Sequence, residues 1–277
     1  MPRRRAILFA LPALLLSTSL SGCAWMRPCV LPPAASPEEV VGFLNENTAK
    51  ITSWKTDRAT ISTRGRLGFP LSVGATIAVE SPRNFRLIAR GPMSNEADIG
   101  SNSEHFWFWT RQNNPEKLIV RARHDEDPAK MRRFPFPFQP DWIMESLGVV
   151  PINLDEVTME PGQPGSNTLI LIADRISPQG FKIRKVTEVD ICQGVVRQHA
   201  LYDARGELIA RAVLKGHIRD ARTQAVLPTQ INLEWPKAEI GMTMQLSEIE
   251  INPPHIPSPM WAIPNNYAGY TVRDLGE

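Results

Sequence analysis

Three cysteines carry the most reactive side chains of this 277-residue chain. A thiol can be acylated, oxidised to a disulfide or ligated to a metal, and its surroundings decide which. Cys23 closes an N-terminal leader, Cys29 stands six residues later, and Cys192 lies deep in the second half. The five histidines, His105, His124, His199, His217 and His255, are scattered over different segments. None has a ligand partner three or four residues away, so a metal centre is not expected and each reads as a surface or edge residue. His124-Asp125-Glu126-Asp127 is the densest acidic cluster. It could hold calcium, but it lacks the alternating ligand spacing and turn glycine of a dedicated loop and reads as a solvated hairpin tip. G-x-S-x-G, H-E-x-x-H, P-loop and G-x-G-x-x-G patterns are all missing, so no catalytic residue, cofactor or enzymatic activity is expected. What remains is apolar: the run Phe106-Trp107-Phe108-Trp109 and the pair Met242 and Met244, suited to a packed core or to the wall of a lipid site.

The leader sets the chemistry of Cys23. Arg3, Arg4 and Arg5 precede an apolar run from Ala6 to Leu16, and small residues follow, which is the order of an export signal. The run is about half the ~20 residues that a membrane-spanning helix needs. The ending Leu20-Ser21-Gly22-Cys23 resembles the lipobox of bacterial lipoproteins, in which the cysteine thiol takes a diacylglycerol and becomes the first mature residue. Residues 1–22 are thus expected to be a signal peptide, and Cys23 to be lipidated and to hold the protein stably to a membrane. The leader takes three arginines with it, turning 31 basic against 29 acidic residues into 28 against 29. The near-neutral remainder offers no footprint for nucleic acid. Cys29 and Cys192 are then an even pair that an oxidising periplasm could join, or two ordinary thiols; both readings stay open.

Removing 22 residues from 277 leaves 255, enough for one large β domain. Residues 23–36 hold the lipidated cysteine and a Pro/Ala-rich tether, and residues 37–277 are expected to form a single domain. Ser36-Pro37-Glu38-Glu39 opens a helix, with Ser36 as cap and Glu39 at the capping-box position; Val40, Phe43, Leu44 and Ile51 mark its apolar face. From Asp57 the period becomes two. Short runs at 57–65, 72–80, 83–90, 96–101, 104–110 and 117–123 read as strands, followed by 153–159, 168–174, 180–190, 194–202, 207–217, 227–236 and 241–251. Their close spacing implies an antiparallel meander without crossover helices. Met242, Met244 and Leu246 share one parity and Ile249 and Ile251 the other, which predicts a bulge near Ser247-Glu248.

Between residues 131 and 152 the pattern breaks. Phe134-Pro135-Phe136-Pro137-Phe138 must be extended, and Asp141 is expected to cap a short helix from Trp142 to Leu147 that Gly148 ends. A Pro-rich tail from Asn252 is expected to wrap the domain.

This layout resembles the LolA/LolB lipoprotein-carrier superfamily. The local likenesses are Phe85-Arg86-Leu87, then Asp98-Ile99-Gly100-Ser101-Asn102, then Glu104-His105-Phe106-Trp107-Phe108-Trp109, and finally Glu248-Ile249-Glu250-Ile251-Asn252 before a prolyl tail. The resemblance implies a mainly β fold: a strongly curved antiparallel sheet, an incomplete β-barrel, with the N-terminal helix and the short mid-chain helix closing its concave side. It also implies binding of acyl chains of lipids or lipoproteins in that concavity, with Phe85, Leu87, Phe106, Phe108, Met242 and Met244 as its wall. Phe134, Phe136, Phe138 and Trp142 would then be a lid or a membrane loop, with plain core packing as the alternative. The expected role is a membrane-anchored envelope lipoprotein aiding lipoprotein localisation. The alternative is a structural or stress-sensing lipoprotein without lipid cargo. Ala24 after Cys23 points to the outer rather than the inner membrane, where some bacteria retain lipoproteins by an Asp at that place.

Overall fold

The computed structural model describes residues 29–65, 72–112, 115–134, 139–264 and 267–275. The leader, Cys23, Phe136 and Phe138 lie outside the described residues. Among the described residues, with 47% strand against 14% helix, the fold is mainly β: one large curved sheet, not closed into a barrel, with three helices. Helix α1 (Pro37–Thr48) leads into β1 (Ser53–Gly65), β2 (Val73–Glu80), β3 (Asn84–Arg90), β4 (Asn95–Ser101), β5 (His105–Thr110) and β6 (Leu118–Arg123). Helices α2 (Pro128–Met131) and α3 (Pro140–Ser146) follow, then β7 (Thr158–Pro161), β8 (Thr168–Ile176), β9 (Lys182–Asp190), β10 (Val195–Asp203) and β11 (Leu208–Lys215). The chain ends with β12 (Ile218–Arg219), β13 (Val226–Leu227), β14 (Gln230–Trp235), β15 (Ile240–Ser247), β16 (Glu250–Ile251) and β17 (Thr271–Asp274).

The order across the sheet is β17-β6-β5-β4-β3-β2-β1-β15-β14-β11-β10-β9-β8-β7, with β16 also on β1 and β12-β13 a separate ribbon. The two edges, β17 and β7, do not pair, which leaves the barrel incomplete. Neighbours are antiparallel except β17, which the tail brings back parallel to β6, a pairing that a meander does not predict. The strand expected at 153–159 begins only at Thr158, because Asn153 caps a short 3-10 turn from Leu154 to Glu156.

The expected bulge near Ser247-Glu248 takes a different form. Glu248 adopts a left-handed φ of 50°, yet Arg58 still faces Ser247 and Lys55 faces Glu250, so the ladder is interrupted without a net slip. The register shift lies across β1, between Thr56 and Ala59 where it meets β2. There the Thr56 hydroxyl accepts from the Arg58 N–H at 3.0 Å and donates to the Ser247 carbonyl, knitting both irregularities together.

α1 forms as its opening residues dictate. The Glu39 N–H donates to the Ser36 hydroxyl at 3.3 Å and the Ser36 N–H to the Glu39 carboxylate at 2.7 Å, a reciprocal cap of the kind that contributes about 1 kcal/mol. Val40, Val41 and Leu44 pack with Leu169, Leu171, Val189 and Ile191 of the sheet. Leu31 and Ala35 join them, and the Leu31 N–H donates to the Ile191 carbonyl at 2.9 Å, so residues 29–36 lie on the sheet. Cys29 and Cys192 are joined by a disulfide that ties this segment to the turn between β9 and β10.

The tail covers the convex face of the first strands. Trp107, Trp109 and Ile119 pack there with Ile263, Tyr267, Tyr270 and Val272. Beneath them a buried ion pair joins Arg86 Nη2 to Asp98 Oδ2 at 2.7 Å. Asp98 also accepts from Trp107 Nε1 at 2.9 Å and from the Tyr267 hydroxyl at 2.7 Å. Burial and the Asp98 charge push the Tyr267 phenol up to about 12, so it stays a donor. Arg86 Nη1 reaches the carbonyls of Pro259 and Ala262, both at 3.1 Å. Gly100 is required here, because a Cβ would sit 2.1 Å from the Trp107 ring.

Candidate functional site

The concave face divides into an apolar half and a polar half. In the apolar half, strict alternation places Phe85 and Leu87 of β3, Phe106 and Phe108 of β5, and Met242 and Met244 of β15 on one side of the sheet. Register then aligns them: Ile77, Leu87, Ile99 and Phe108 stand in one row across β2 to β5, and Ile61, Met244 and Ile231 in another. All six expected wall residues are buried in one continuous apolar cluster.

That cluster is filled from above. Phe134 places its ring 5.7 Å from Phe106 and 6.0 Å from Phe108. α3 adds Trp142, Ile143 and Met144, and its C-cap Leu147 joins them, with Trp142 edge-on to Trp235 at 6.0 Å. Trp54 Nε1 donates to the Leu147 carbonyl at 3.1 Å and fixes the end of the helix, which Gly148 terminates at φ +79°. Phe134 and Trp142 are therefore packed against the sheet rather than exposed, and Phe136 and Phe138 fall outside the described residues. Asp141 is not the cap of α3. Gln139 holds that position, Pro140 starts the helix, and Asp141 lies in the first turn, paired with Arg83 at 3.0 Å.

The polar half has no counterpart in the sequence expectations. Along β9, Ile183, Lys185, Thr187 and Val189 all face inward and are buried. Glu145, three residues after Trp142 on the buried side of α3, meets Lys185 Nζ at 2.5 Å and Arg175 Nη1 at 2.6 Å. Burial works against the carboxylate, but Lys185 and Arg175 outweigh it and hold Glu145 below the usual range. Burial lowers the Lys185 ammonium, with Glu145 opposing. His199 of β10 faces Thr187 across the strand pair, its Nδ1 3.0 Å from the threonine hydroxyl. Burial, reinforced by Lys185, lowers it to about 3, so it is neutral at physiological pH. His199 is thus buried, against the expectation that the histidines are surface or edge residues. The missed signal was parity: Lys185 and Thr187 are in phase with Ile183 and Val189, as Glu145 is with Trp142.

Several hollows open off this half, and two of them meet its buried polar residues. A small cavity of about 70 Å³ lies beneath α1 and is lined by Glu145, Lys185, His199, His217, Leu214 and Leu227. A groove of about 450 Å³ opens at the far end of β9, lined by Gln139, Phe181, Ile183 and Ile209. Among the described residues no group of three or more His, Cys, Asp or Glu could hold a metal ion. The acidic cluster is occupied otherwise: Asp125 pairs with Arg123 at 2.7 Å, Glu126 with Lys130 at 3.2 Å, and Asp127 caps α2. No helix among the described residues is long and apolar enough to cross a membrane.

No family model matches the sequence, and no curated protein matches it. Solved structures do. A LolA superfamily protein from Nitrosomonas europaea is 10% identical with a TM-score of 0.52, covering 83% of this chain and 99% of its own. A Vibrio parahaemolyticus domain assigned to outer membrane lipoprotein sorting is 9% identical with a TM-score of 0.51, covering 81% and 97%. At such identities the likeness is one of fold: this chain has the architecture of LolA superfamily proteins.

Proposed function

From that shared architecture we propose that the protein is a lipid-anchored protein of the bacterial cell envelope that receives acyl chains of lipids or lipoproteins inside its open sheet. The observation that carries this reading is how the interior is closed. The sheet leaves its concave apolar face open, and the face is covered by Phe134 and the seven-residue α3, two short pieces outside the sheet. Displacing them would present Phe85, Leu87, Phe106, Phe108, Met242 and Met244 to an acyl chain without breaking a strand pairing. The reading includes aid to lipoprotein localisation, as the description of the Vibrio domain suggests, and involves no catalysis. The anchor is Cys23, and Ala24 favours the outer membrane.

In a producing bacterium fed labelled palmitate, the wild-type chain is expected to take up label. Cys23→Ser is expected to lose it and to stay unprocessed or leave the membrane. Equal labelling and membrane retention of the variant would remove the anchor from the proposal.

A second reading rests on the same packing. Because the described interior is filled, the scaffold also suits a structural or stress-sensing role with no cargo. Phe134→Ala separates the two. Both readings expect a loss of about 3–5 kcal/mol in stability. Only the carrier reading expects the emptied space to raise uptake of a fluorescent fatty acid over wild type. No uptake by either form would favour the structural role.

A further inference from the structure

The groove at the far end of β9 has features that acyl packing alone does not require. Its walls are apolar, with Ile183 belonging to the central cluster and Ile209 packed against it. Phe181 at its rim is 55% exposed, and Ile176, close by at the end of β8, is 65% exposed. Gln139 lines the groove, is 6% exposed, and its Nε2 has no hydrogen-bond partner among the described residues. A buried amide donor without an acceptor costs free energy unless something fills the place.

The charges around it are unequal. Asp203, on the groove wall, is already satisfied: it accepts from the N–H groups of Glu207 and Arg205, both at 2.9 Å, and from Lys237 Nζ at 3.1 Å. The Glu207 N–H and Lys237 hold it down to about 2. Arg205 pairs with Glu207 at 3.4 Å. Among the described residues, by contrast, Lys182 and Arg132 have no carboxylate partner. Lys182 lines the groove and Arg132 stacks on the Phe181 ring at 5.1 Å. Arg132 Nε already donates to the Gln179 carbonyl at 3.2 Å, so among the described residues the groove's open donors are the Gln139 amide at the wall and the Lys182 ammonium at the rim.

We propose that this groove binds the carboxylate of a long-chain fatty acid, with Gln139 Nε2 and Lys182 holding the oxyanion while the chain runs along Phe181, Ile183 and Ile209 toward the central apolar cluster. A volume of about 450 Å³ is within the range of small-ligand sites. The proposal rests on the acyl-binding reading above and adds to it a head-group site and an entrance.

The full chain, reconstituted in phosphatidylcholine vesicles, would be exposed to palmitic acid carrying a mid-chain diazirine, irradiated, and its labelled peptides mapped. Label is expected on the residues around Phe181, Ile183 and Ile209, with the methyl ester of the same probe labelling about tenfold less. Gln139→Leu is expected to reduce capture of the acid about tenfold, since a charge-assisted hydrogen bond is lost. The surface variants Phe181→Asp and Lys182→Glu, which leave the core untouched, are expected to reduce it as well. Equal labelling by acid and ester overturns the head-group site. A lysophosphatidic acid that displaces the probe better than palmitate does overturns the choice of carboxylate over phosphate. Label confined to β3, β5 and β15 and unaffected by the Phe181 and Lys182 variants overturns the site while leaving acyl binding in place. No labelling anywhere overturns both.

Discussion

Glu145→Ala is expected to lower the free energy of unfolding by about 3–5 kcal/mol, because it strands the Lys185 ammonium in the interior and takes from the partly exposed Arg175 one of its two carboxylate partners. Lys185 is only 5% exposed at its side chain and Glu145 only 8%, so bulk solvent does not reach the ammonium once the carboxylate is gone. Urea unfolding of the two forms measures the difference. The double variant Glu145→Leu with Lys185→Met removes both charges and fills similar volume; it is expected to recover most of the loss. If the single variant costs less than 1 kcal/mol, Lys185 must find water or another acceptor, and the interior is wetter than its burial implies.

The second large effect is on pH. His199 titrates near 6.5 when unfolded and near 3 in the folded protein, where burial disfavours its charged form. Between those values the unfolded chain binds the extra proton, so stability falls as pH falls, by about 1.4 kcal/mol per unit for this group. By pH 4.5 the loss is about 3 kcal/mol. His199→Gln keeps a polar partner for Thr187 and has nothing to protonate, so it is expected to show a flatter profile from pH 6.5 to 4.5. Glu145 acts lower: its folded value is depressed, so its contribution is present above 4.5 and lost as pH falls through the folded value. The two windows are thus separable by chemical denaturation at a series of pH values. Parallel profiles for wild type and His199→Gln above pH 4.5 would mean that His199 is protonated without cost in the folded state.

What was legible in the sequence follows the strength of local signals. Ser36-Pro37-Glu38-Glu39 could only begin a helix, and alternation in β2, β3 and β5 put Phe85, Leu87, Phe106 and Phe108 on one face. The aromatic run divided as alternation requires, phenylalanines inward and tryptophans outward beneath the tail. The parallel return of β17 was not legible, since four residues after a prolyl stretch carry no record of the partner they reach. The polar half was missed for a different reason. A lysine in a strand is ordinarily assigned to solvent, and only the partner supplied by α3 in the folded protein lets Lys185 stay inside. Asp141 has the residue type of a cap, but Pro140 moves the start of the helix back by two residues from Trp142 and gives the carboxylate to Arg83.

The Cys29–Cys192 bond has a consequence for how the molecule stands on a membrane. On the proposed lipidation of Cys23, six residues would separate the lipid from a covalent mooring on the turn between β9 and β10. Fully stretched, they reach about 20 Å. Without the bond, the strap would be held to the sheet there mainly by Leu31 and could peel away to Ser36, roughly doubling its length. So moored, the turn at Cys192 would stay within reach of the proposed anchor. The opposite end of β9, nine residues on at a rise of about 3.3 Å each, lies roughly 30 Å from that turn along the strand. Phe181 and its groove thus lie at the end of β9 remote from the mooring, so that on the proposed anchoring the entrance and the tether would be at opposite ends of that strand.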